Sequence, residues 1–420
     1  MNDRADAYEK IRRAVLERIE HRQLQPEHEL AEVQAEVERA VDEFSRRARL
    51  GEVVPLGDPA AMAQRVLKAV VDLGPLSELF SRTDIEEIFV EGSRVTYLDT
   101  EGRLRGLAEP TDESENRRTI DRLLASTDRV LNAQQPMVQA RVCDGSARLT
   151  AAIPPIADCL SATVRRYTLR NARLDELVER DSLTPEAATF LWALMQVRSR
   201  VAVSGEPGAG KTTLAAALLA SVPASHCVRA CEEIRELAVP LVHGAYYEVR
   251  PPGLDGSGEI TLRQLVKFLL AMRPDRIVVG EVRGSEAFEL TRAVNAGCGF
   301  LCTVHANSAD DALRALVNAA LMAGENVVEK VVRRVFTGAL DVVVHMERDE
   351  ARRQVTEIAA IVPTLGDDHT SEPIFVRPSL GQPLEWTGAL PSGLEVRIDK
   401  ALPVGVRLRT LLEQGRRIPA

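Results

Sequence analysis

The stretch that decides the fold is Val201-Ala-Val-Ser-Gly205-Glu206-Pro207-Gly208-Ala209-Gly210-Lys211-Thr212-Thr213. It fits the pattern G-x-x-x-x-G-K-[ST], in which a glycine loop cradles phosphate groups. The apolar residues before Gly205 predict a short buried strand, and the alanines and leucines after Thr213 predict a helix. Strand, glycine loop and helix in this order are the context that such a loop requires. A chance glycine turn at a strand–helix junction is the alternative, but it would have to meet every one of these constraints by accident.

Each residue type in the loop has a chemical reason to be there. Gly205, Gly208 and Gly210 allow the backbone to turn and bring its N–H groups close to phosphate oxygens. The N-terminus of the following helix adds partial positive charge. Lys211 is expected to reach the β- and γ-phosphates of a nucleotide, and the Thr212 hydroxyl is expected to hold Mg²⁺. We therefore predict that the loop binds ATP together with Mg²⁺.

Length and composition are those of a globular protein with several domains. The chain has 420 residues, of which 45% are hydrophobic and 27% charged. Its net charge of −9 gives no bulk attraction to nucleic acid, so we expect no direct nucleic-acid partner. No apolar run reaches the ~18 residues of a membrane span, and the polar N-terminus does not resemble a signal peptide. A cytoplasmic location is therefore expected.

The periodicity of apolar residues divides the chain into segments and predicts an α/β fold. Apolar residues at helical spacing predict two amphipathic helices near the N-terminus, separated around Gln25 and Pro26. Strands at 85–90, 94–98, 148–153 and 161–167 with a helix at 115–131 predict a small mixed domain. Later strands alternate with helices, as in a parallel sheet. The predicted segments are a helical segment (1–58), a mixed α/β domain (60–168), a linker (169–184), a P-loop ATPase domain (185–362) and a tail of unknown role (363–420).

Acidic residues at two predicted strand ends are candidates for the chemistry. The apolar strand before Glu281 ends in a carboxylate, which an ATPase uses to order Mg²⁺ and the attacking water. We expect the metal and this carboxylate to meet across adjacent strand ends. Glu232 and Glu233 follow another predicted strand and could hold the Mg²⁺ shell or orient water. A charged helix start explains Glu236 equally well. His305, at a third strand end, is predicted to sense the γ-phosphate, although a lone histidine is usually structural.

These residues resemble the secretion ATPase superfamily, the hexameric motors of type II and type IV secretion and of pilus assembly. The resemblance runs from about Gly74 to Val362. Two stretches, 84–92 and 280–284, are most similar to the Tad/CpaF branch, which powers Flp-type pili. The motifs that carry the resemblance are the Walker A loop (205–212), the acidic box (231–237), the Walker B stretch (273–283), the histidine box (295–307) and, in the N-terminal domain, 144–148 with Val164-Arg165.

The resemblance implies a RecA-like ATPase domain, with nucleotide in the cleft between it and the N-terminal domain. By family pattern, Arg141, Arg148 and Arg165 would close over the phosphates, and arginine suits this task because it stabilises the charge of a transferring phosphoryl group. The family pattern also implies a homohexamer that lies at the inner face of the cell membrane. There it would use ATP hydrolysis to move an inner-membrane platform protein.

Two departures from the family pattern bear on the site. Glu233 stands where the acidic box usually has aspartate, which keeps the charge but lengthens the reach. The histidine box usually opens Thr-Gly-His, and here Cys298 occupies the position of its first histidine. Both changes could weaken hydrolysis.

Several functions remain open from the sequence. The main hypothesis is a motor for Tad/Flp-type pilus assembly or type II-like secretion. A motor of a conjugative or type IV secretion machine is the alternative within the same class. A nucleotide-gated assembly protein with little hydrolysis is favoured by the two departures, and a RecA-like enzyme acting on DNA is disfavoured by the acidic charge balance.

Overall fold

A computed structural model describes residues 2–24, 29–167, 171–253, 255–324, 326–349, 352–364 and 369–415. The chain forms two compact units, Met1–Thr168 and Leu169–Ala420. Among the described helices, none is both long enough and apolar enough to cross a membrane. The helices and strands of the first unit are α1 (Asn2–Arg22), α2 (Leu30–Arg49), α3 (Pro59–Val71), α4 (Ser77–Ser81), β1 (Ile85–Glu91), β2 (Arg94–Asp99), β3 (Leu104–Gly106), α5 (Glu113–Ala125), β4 (Met137–Val142), β5 (Ala147–Ala152) and β6 (Ser161–Arg166).

Three helices form the N-terminal bundle, whereas two were predicted in residues 1–58. The helices α1 and α2 pack through apolar residues at helical spacing, and α3 adds Met62, Val66 and Val70 to the same core. Asp58 caps α3 by accepting hydrogen bonds from the N–H groups of residues 60 and 61. The helical segment therefore continues past residue 58. The predicted break at Gln25 and Pro26 lies outside the described residues.

The rest of the first unit is an antiparallel sheet of six strands with α5 packed against it. The strand order is β3-β2-β1-β6-β5-β4. The helix predicted at 115–131 spans Glu113–Ala125 and begins after the capping residue Asp112. It ends early because the Thr127 hydroxyl bonds back to the Leu124 carbonyl at 2.7 Å, a local bond that competes with continued helix.

The second unit contains a sheet of nine strands. In the order β15-β14-β13-β12-β7-β11-β10-β8-β9, the six strands from β12 to β9 are mutually parallel, as the alternation of strands and helices predicts. The elements are α6 (Leu174–Glu179), α7 (Pro185–Met195), β7 (Arg200–Gly205), α8 (Lys211–Ala220), β8 (Val228–Glu232), β9 (Gly244–Glu248), α9 (Leu262–Leu270), β10 (Arg276–Val282), α10 (Glu286–Asn295), β11 (Gly299–Val304), α11 (Ala309–Leu321), α12 (Glu329–Ala339), β12 (Val342–Arg348), β13 (Arg353–Pro363), β14 (His369–Val376), β15 (Glu385–Trp386), α13 (Ser392–Ala401) and α14 (Leu408–Glu413).

Both segments that flank the predicted ATPase domain are packed into this unit. The boundary expected after residue 362 falls inside β13, which pairs antiparallel with β14. Leu394 and Leu411, from the segment predicted as a tail, share a core with the apolar residues of β7. Leu174 and Leu177, from the segment predicted as a linker, are buried in the same core. Apolar burial, which Pro and Gly content alone does not reveal, makes these segments part of the fold.

A buried arginine fixes the amino end of the central strands. Arg276, the first residue of β10, is completely buried and donates hydrogen bonds to the carbonyl oxygens of Ser199 (2.8 Å) and Val197 (2.6 Å). Burial lowers the pKa of Arg276 to about 10, so the guanidinium stays charged at neutral pH. It therefore holds β10 to the start of β7 with charge-assisted bonds, although β11 lies between these two strands.

Replacing this arginine should destabilise the second unit. We expect Arg276→Met to lower the free energy of unfolding by about 3 kcal/mol, because it leaves buried carbonyl groups without donors. Urea unfolding followed by tryptophan fluorescence measures the change selectively, since both tryptophans of the chain lie in this unit. Arg334→Ala, at an exposed position of α12, is the matched control and should change stability by less than about 0.5 kcal/mol. Equal stability of the two variants would contradict the role assigned to Arg276.

Candidate nucleotide-binding site

The glycine loop leaves the carboxyl end of β7 and enters α8, as the sequence predicts. Gly205, Gly208 and Gly210 have φ angles of 148°, 77° and 95°, which side-chain-bearing residues rarely adopt. Position 205 has a second constraint, because a Cβ atom there would clash with the backbone carbonyl oxygen of Met346 on β12. The loop conformation therefore requires glycine at these three positions.

Lys211 lies inside the loop. Its side chain is 8% exposed, and its ammonium group donates to the carbonyl oxygens of Gly205 and Glu206 at 2.9 Å each. Thr212 and Thr213 follow in the first turn of α8, where unpaired backbone N–H groups and the helix dipole favour anions. The arrangement is that of a phosphate-binding loop with its cation in place.

The acidic and histidine residues predicted for the site stand at the carboxyl ends of neighbouring strands. His305 follows β11, Glu281 lies near the end of β10, and Glu232 ends β8. The expected adjacency of the Glu281 strand to the loop strand is wrong, because β11 is inserted between β7 and β10. His305 is therefore the candidate nearest to the loop strand, and Glu281 lies one strand further away.

His305 contacts both the loop lysine and the carboxylate. Its Nδ1 atom lies 3.4 Å from the Lys211 ammonium nitrogen, and its Nε2 atom lies 2.5 Å from Oε1 of Glu281. The Nε2–Oε1 contact is close but is not aligned as a hydrogen bond, so this buried oxygen has no hydrogen-bond donor within the described part of the chain.

Glu281 is held in its ionised form. Burial by itself favours a higher pKa, but a 2.7 Å hydrogen bond from Arg283 and the charges of Arg283, His305 and Lys211 outweigh it and lower the pKa of this carboxyl. An ionised carboxylate with one oxygen that lacks an aligned donor is suited to accept a proton from water or to bind a cation. The geometry is consistent with the role predicted for Glu281.

The pKa of the Glu232 carboxyl, in contrast, is raised. The side chain is 4% exposed and packs against Gly280, where a Cβ atom would clash with it. Burial raises the pKa of Glu232 to about 8, although the N–H groups of Glu236 and Leu237 bond to its carboxylate oxygens and partly offset the shift. This carboxyl is therefore mostly protonated at neutral pH, and it holds the turn that follows β8.

Glu233, the next residue of the acidic box, is exposed. The Glu233 side chain is 57% exposed, and its Oε2 atom lies 3.7 Å from a guanidinium nitrogen of Arg283. A helix start does not explain these residues, because 233–243 contain no helix. Glu233 and Glu281 thus share Arg283 as a partner.

Cys298 lies at the end of the sheet opposite to the glycine loop. It precedes β11, and its carbonyl oxygen accepts a 3.4 Å hydrogen bond from Arg200, the first residue of β7. His305 follows the other end of β11, roughly 20 Å away at the rise of an extended strand. The departure at position 298 therefore does not remove a side chain from the vicinity of the loop.

Three predicted arginines form a row on the sheet of the first unit. Arg141, Arg148 and Arg165 are register partners on β4, β5 and β6, so they share one face. The residue before each arginine on its strand is buried in the core, which places the arginines on the opposite face. Nε of Arg165 lies 2.8 Å from a carboxylate oxygen of Glu87 on the adjoining strand. Sequence motifs located the residues, and the strand register brings them together.

Two further contacts to the loop region come from the β12–β13 hairpin, and neither was predicted. Arg353 donates from Nε to the carbonyl oxygen of Gly208 at 2.9 Å. The buried side chain of His345 lies 2.9 Å from the Ser204 hydroxyl, directly before the loop. These residues follow the loop by about 140 positions in the sequence, and no local motif marks them.

A cleft of about 490 Å³ opens beside the loop. It lies between residues 205–207, residues 305–307 and one face of α11 that carries Asp311, Arg314 and Asn318. Asp311 and Arg314 are paired with each other. The cleft makes His305 accessible to solvent, since its side chain is 38% exposed.

The fold and the site together define a P-loop nucleotide-binding protein with a RecA-like sheet, in which a histidine and a carboxylate lie near the carboxyl ends of the next two strands after the loop strand in the sheet. The chain belongs to the type II/IV secretion system protein family, whose model matches residues 70–359.

Known proteins support this assignment at the level of sequence and fold. A putative conjugal transfer protein of Mycobacterium tuberculosis is 34% identical over 319 residues, which cover 73% of this chain and 90% of that protein. The type IV secretion system protein VirB11 of Bartonella quintana is 26% identical over 340 residues, or 70% and 93% of the two chains. The crystal structure of the pilus retraction motor PilT with bound ADP aligns with a TM-score of 0.51 at 17% identity, covers 79% of this chain and 86% of that chain, and shows the shared fold.

The buried carboxyl of Glu232 predicts a specific pH dependence of stability. Its folded-state pKa of about 8 lies above the value of 4.5 for the free side chain, so its contribution to stability is complete below pH 4.5 and is lost as pH rises toward 8. Glu232→Gln keeps the shape and an acceptor oxygen but cannot ionise. Between pH 5 and 8 we expect the variant to gain stability relative to wild type, by at most about 1.4 kcal/mol per pH unit.

Urea unfolding followed by tryptophan fluorescence at several pH values measures this difference. Glu233→Gln is the control, because that neighbouring carboxylate is exposed. Parallel pH profiles for wild type and Glu232→Gln would show that the Glu232 carboxyl is ionised in the folded protein.

Proposed function

We propose that this protein is an ATP-hydrolysing motor of a secretion machine. The contact of His305 with both Lys211 and Glu281 carries the proposal. It joins the loop cation to an ionised carboxylate within one small site, as phosphoryl transfer to water requires. In this arrangement His305 is placed to respond to the charge at the end of a bound triphosphate.

The residues present fit ATP with Mg²⁺. The three glycines hold the loop in φ angles that turn its backbone, and within the described residues Oε1 of Glu281 is a buried oxygen without an aligned donor. Lys211 and the backbone N–H groups of the loop would hold the phosphates, and the Thr212 hydroxyl would bind Mg²⁺. When bound, Mg²⁺ neutralises charge on the phosphate oxygens. Glu281 orients a water molecule and accepts its proton, and Arg283 keeps that carboxylate ionised.

The names of the relatives favour a type IV machine. The Mycobacterium tuberculosis relative is described as a conjugal transfer protein, and VirB11 is a type IV secretion system protein. We therefore infer that this chain drives transfer through a conjugative or type IV secretion apparatus, which the sequence alone offered as the alternative. The Tad/Flp pilus assignment rests on the stretches 84–92 and 280–284 and stays a prediction.

The assembly inferred from the family is a homohexamer at the inner face of the cell membrane, acting on a membrane-embedded platform protein. Within it, Arg141, Arg148 and Arg165 are proposed to meet the phosphates. Their arrangement as one row on one sheet face supports this, because adjacent guanidinium groups can contact several phosphate oxygens together.

Removing the Glu281 carboxylate should abolish turnover without abolishing binding. We expect Glu281→Gln to lower kcat for Mg²⁺-ATP hydrolysis by about 100-fold or more, because the amide cannot accept the proton from water. Phosphate release by the purified full chain measures kcat, and a fluorescent ATP analogue measures binding. Glu259→Gln, an exposed position in the same unit, should leave both unchanged.

Other outcomes distinguish the competing functions. Tight ATP binding without turnover in wild type would favour a nucleotide-gated assembly protein. If a Lys211→Ala variant hydrolysed ATP at the wild-type rate, the proposed role of the glycine loop in ATP hydrolysis would be contradicted. Particle size is measured in the same samples, where ATP is expected to favour six chains.

The choice of machine is tested in the host. Deletion of the gene should abolish conjugal transfer or type IV secretion, and wild type but not Glu281→Gln should restore it, since the machine needs hydrolysis. Surface pili are counted in the same strains. Loss of pili with normal transfer would favour the Tad prediction instead.

A further inference from the structure

One residue connects the glycine loop to the segment that joins the two units in sequence. Arg353, the first residue of β13, contacts the loop through its side chain. Its Nε donates to the Gly208 carbonyl oxygen at 2.9 Å, and its Cβ and Cδ lie 3.8 Å from the place where a Cβ atom of residue 210 would be. The arginine therefore packs along the loop and fixes one of its carbonyl groups.

The backbone carbonyl group of Arg353 bonds to a different part of the chain, the segment around Ser182. The hydroxyl of Ser182 donates to the Arg353 carbonyl oxygen at 2.6 Å. Directly after it, the Val355 N–H donates to the Ser182 carbonyl oxygen at 3.0 Å, and the Gln354 side chain donates to the Asp181 carbonyl oxygen at 2.8 Å. Three hydrogen bonds thus join residues 181–182 to 353–355.

The connected segment is itself rigid. Ser182 is 7% exposed, and its N–H donates to the Leu177 carbonyl oxygen at 2.9 Å, which ties it to α6. The buried side chain of Arg377 bonds both to the Val355 carbonyl oxygen (2.8 Å) and to the Ser182 carbonyl oxygen (3.2 Å). A displacement at β13 can therefore reach α6 without being absorbed by a loose turn.

We propose that Arg353 is a positioning residue that transmits the nucleotide state of the loop to residues 171–184. A peptide unit is planar, so holding the Gly208 carbonyl also fixes the direction of the next N–H group in the loop. If phosphate binding reorients this peptide, the bond to Arg353 changes, and the Ser182 bond to the same residue carries the change to the segment. The inference deepens the proposed function and rests on nucleotide binding by the loop.

Hydrogen exchange of the full chain, with and without a saturating non-hydrolysable ATP analogue, tests the coupling. In wild type we expect nucleotide to slow amide exchange in residues 177–184. Arg353→Ala should bind nucleotide about fivefold more weakly, as expected for one lost hydrogen bond, and should lose the slowing even at saturation. Arg348→Ala is the matched control, because Arg348 is the exposed register partner of Arg353 on the same hairpin.

Two more variants separate coupling from general damage. Arg353→Lys retains a cationic donor and should restore part of the exchange response. Ser182→Ala removes the hydroxyl at the far end of the connection, so nucleotide affinity should stay within twofold of wild type while the response is lost. A full exchange response in both Arg353→Ala and Ser182→Ala would overturn the inference.

Failure of this inference is distinguishable from failure of the proposed function. If wild type binds the analogue but residues 177–184 do not respond, the coupling is contradicted and the ATPase proposal stands. If wild type binds no nucleotide, both are contradicted.

Discussion

The close approach of two backbones, Gly205 on one side and the Met346 carbonyl on the other, is the constraint on which the site depends. In the parallel pairing of β7 and β12, residue 346 stands opposite residue 205. With no Cβ between them, the loop can turn directly at the sheet edge. The same pairing aligns His345 with Ser204 and determines where the β12–β13 hairpin runs. The hairpin then brings Arg353 to Gly208. The close approach of the two backbones at Gly205 thus determines where several side-chain contacts form.

Two carboxyl groups near the loop are placed in opposite protonation states. Burial outweighs the charge of Arg235 and keeps Glu232 mostly neutral, whereas Arg283, His305 and Lys211 keep Glu281 ionised. Such a division lets neighbouring acids do different work: one supports the backbone, and the other can exchange a proton with water. The sequence placed both in acidic motifs and could not separate their roles, because the difference arises from burial and from partners distant in the chain.

Prediction from sequence succeeded where the information is local. The glycine loop, the strand before Glu281 and the parallel alternation of the central sheet follow from short patterns. The insertion of β11 between β7 and β10 does not, because strand order depends on which helices pack on which face. The antiparallel extension by β13 and β14 was missed for a similar reason, since its apolar residues complete a core begun two hundred positions earlier. Arg353 carries no local signal, and only the hairpin places it beside the loop.

The two departures from the family pattern are of different kinds once placed in the fold. Cys298 precedes β11 at the amino end of the sheet, where its side chain is buried in the apolar core, so its substitution for histidine concerns packing rather than chemistry at the loop. Glu233 is exposed and shares Arg283 with Glu281, since this arginine interacts with both carboxylates. We therefore expect a longer side chain at 233 to affect hydrolysis by competing for that arginine. Because Arg283 bonds to Glu281 at 2.7 Å and lies 3.7 Å from Glu233, its interaction with Glu281 is the stronger one. The proposed ATPase activity thus depends on His305, Glu281 and Lys211, which the departures leave in contact.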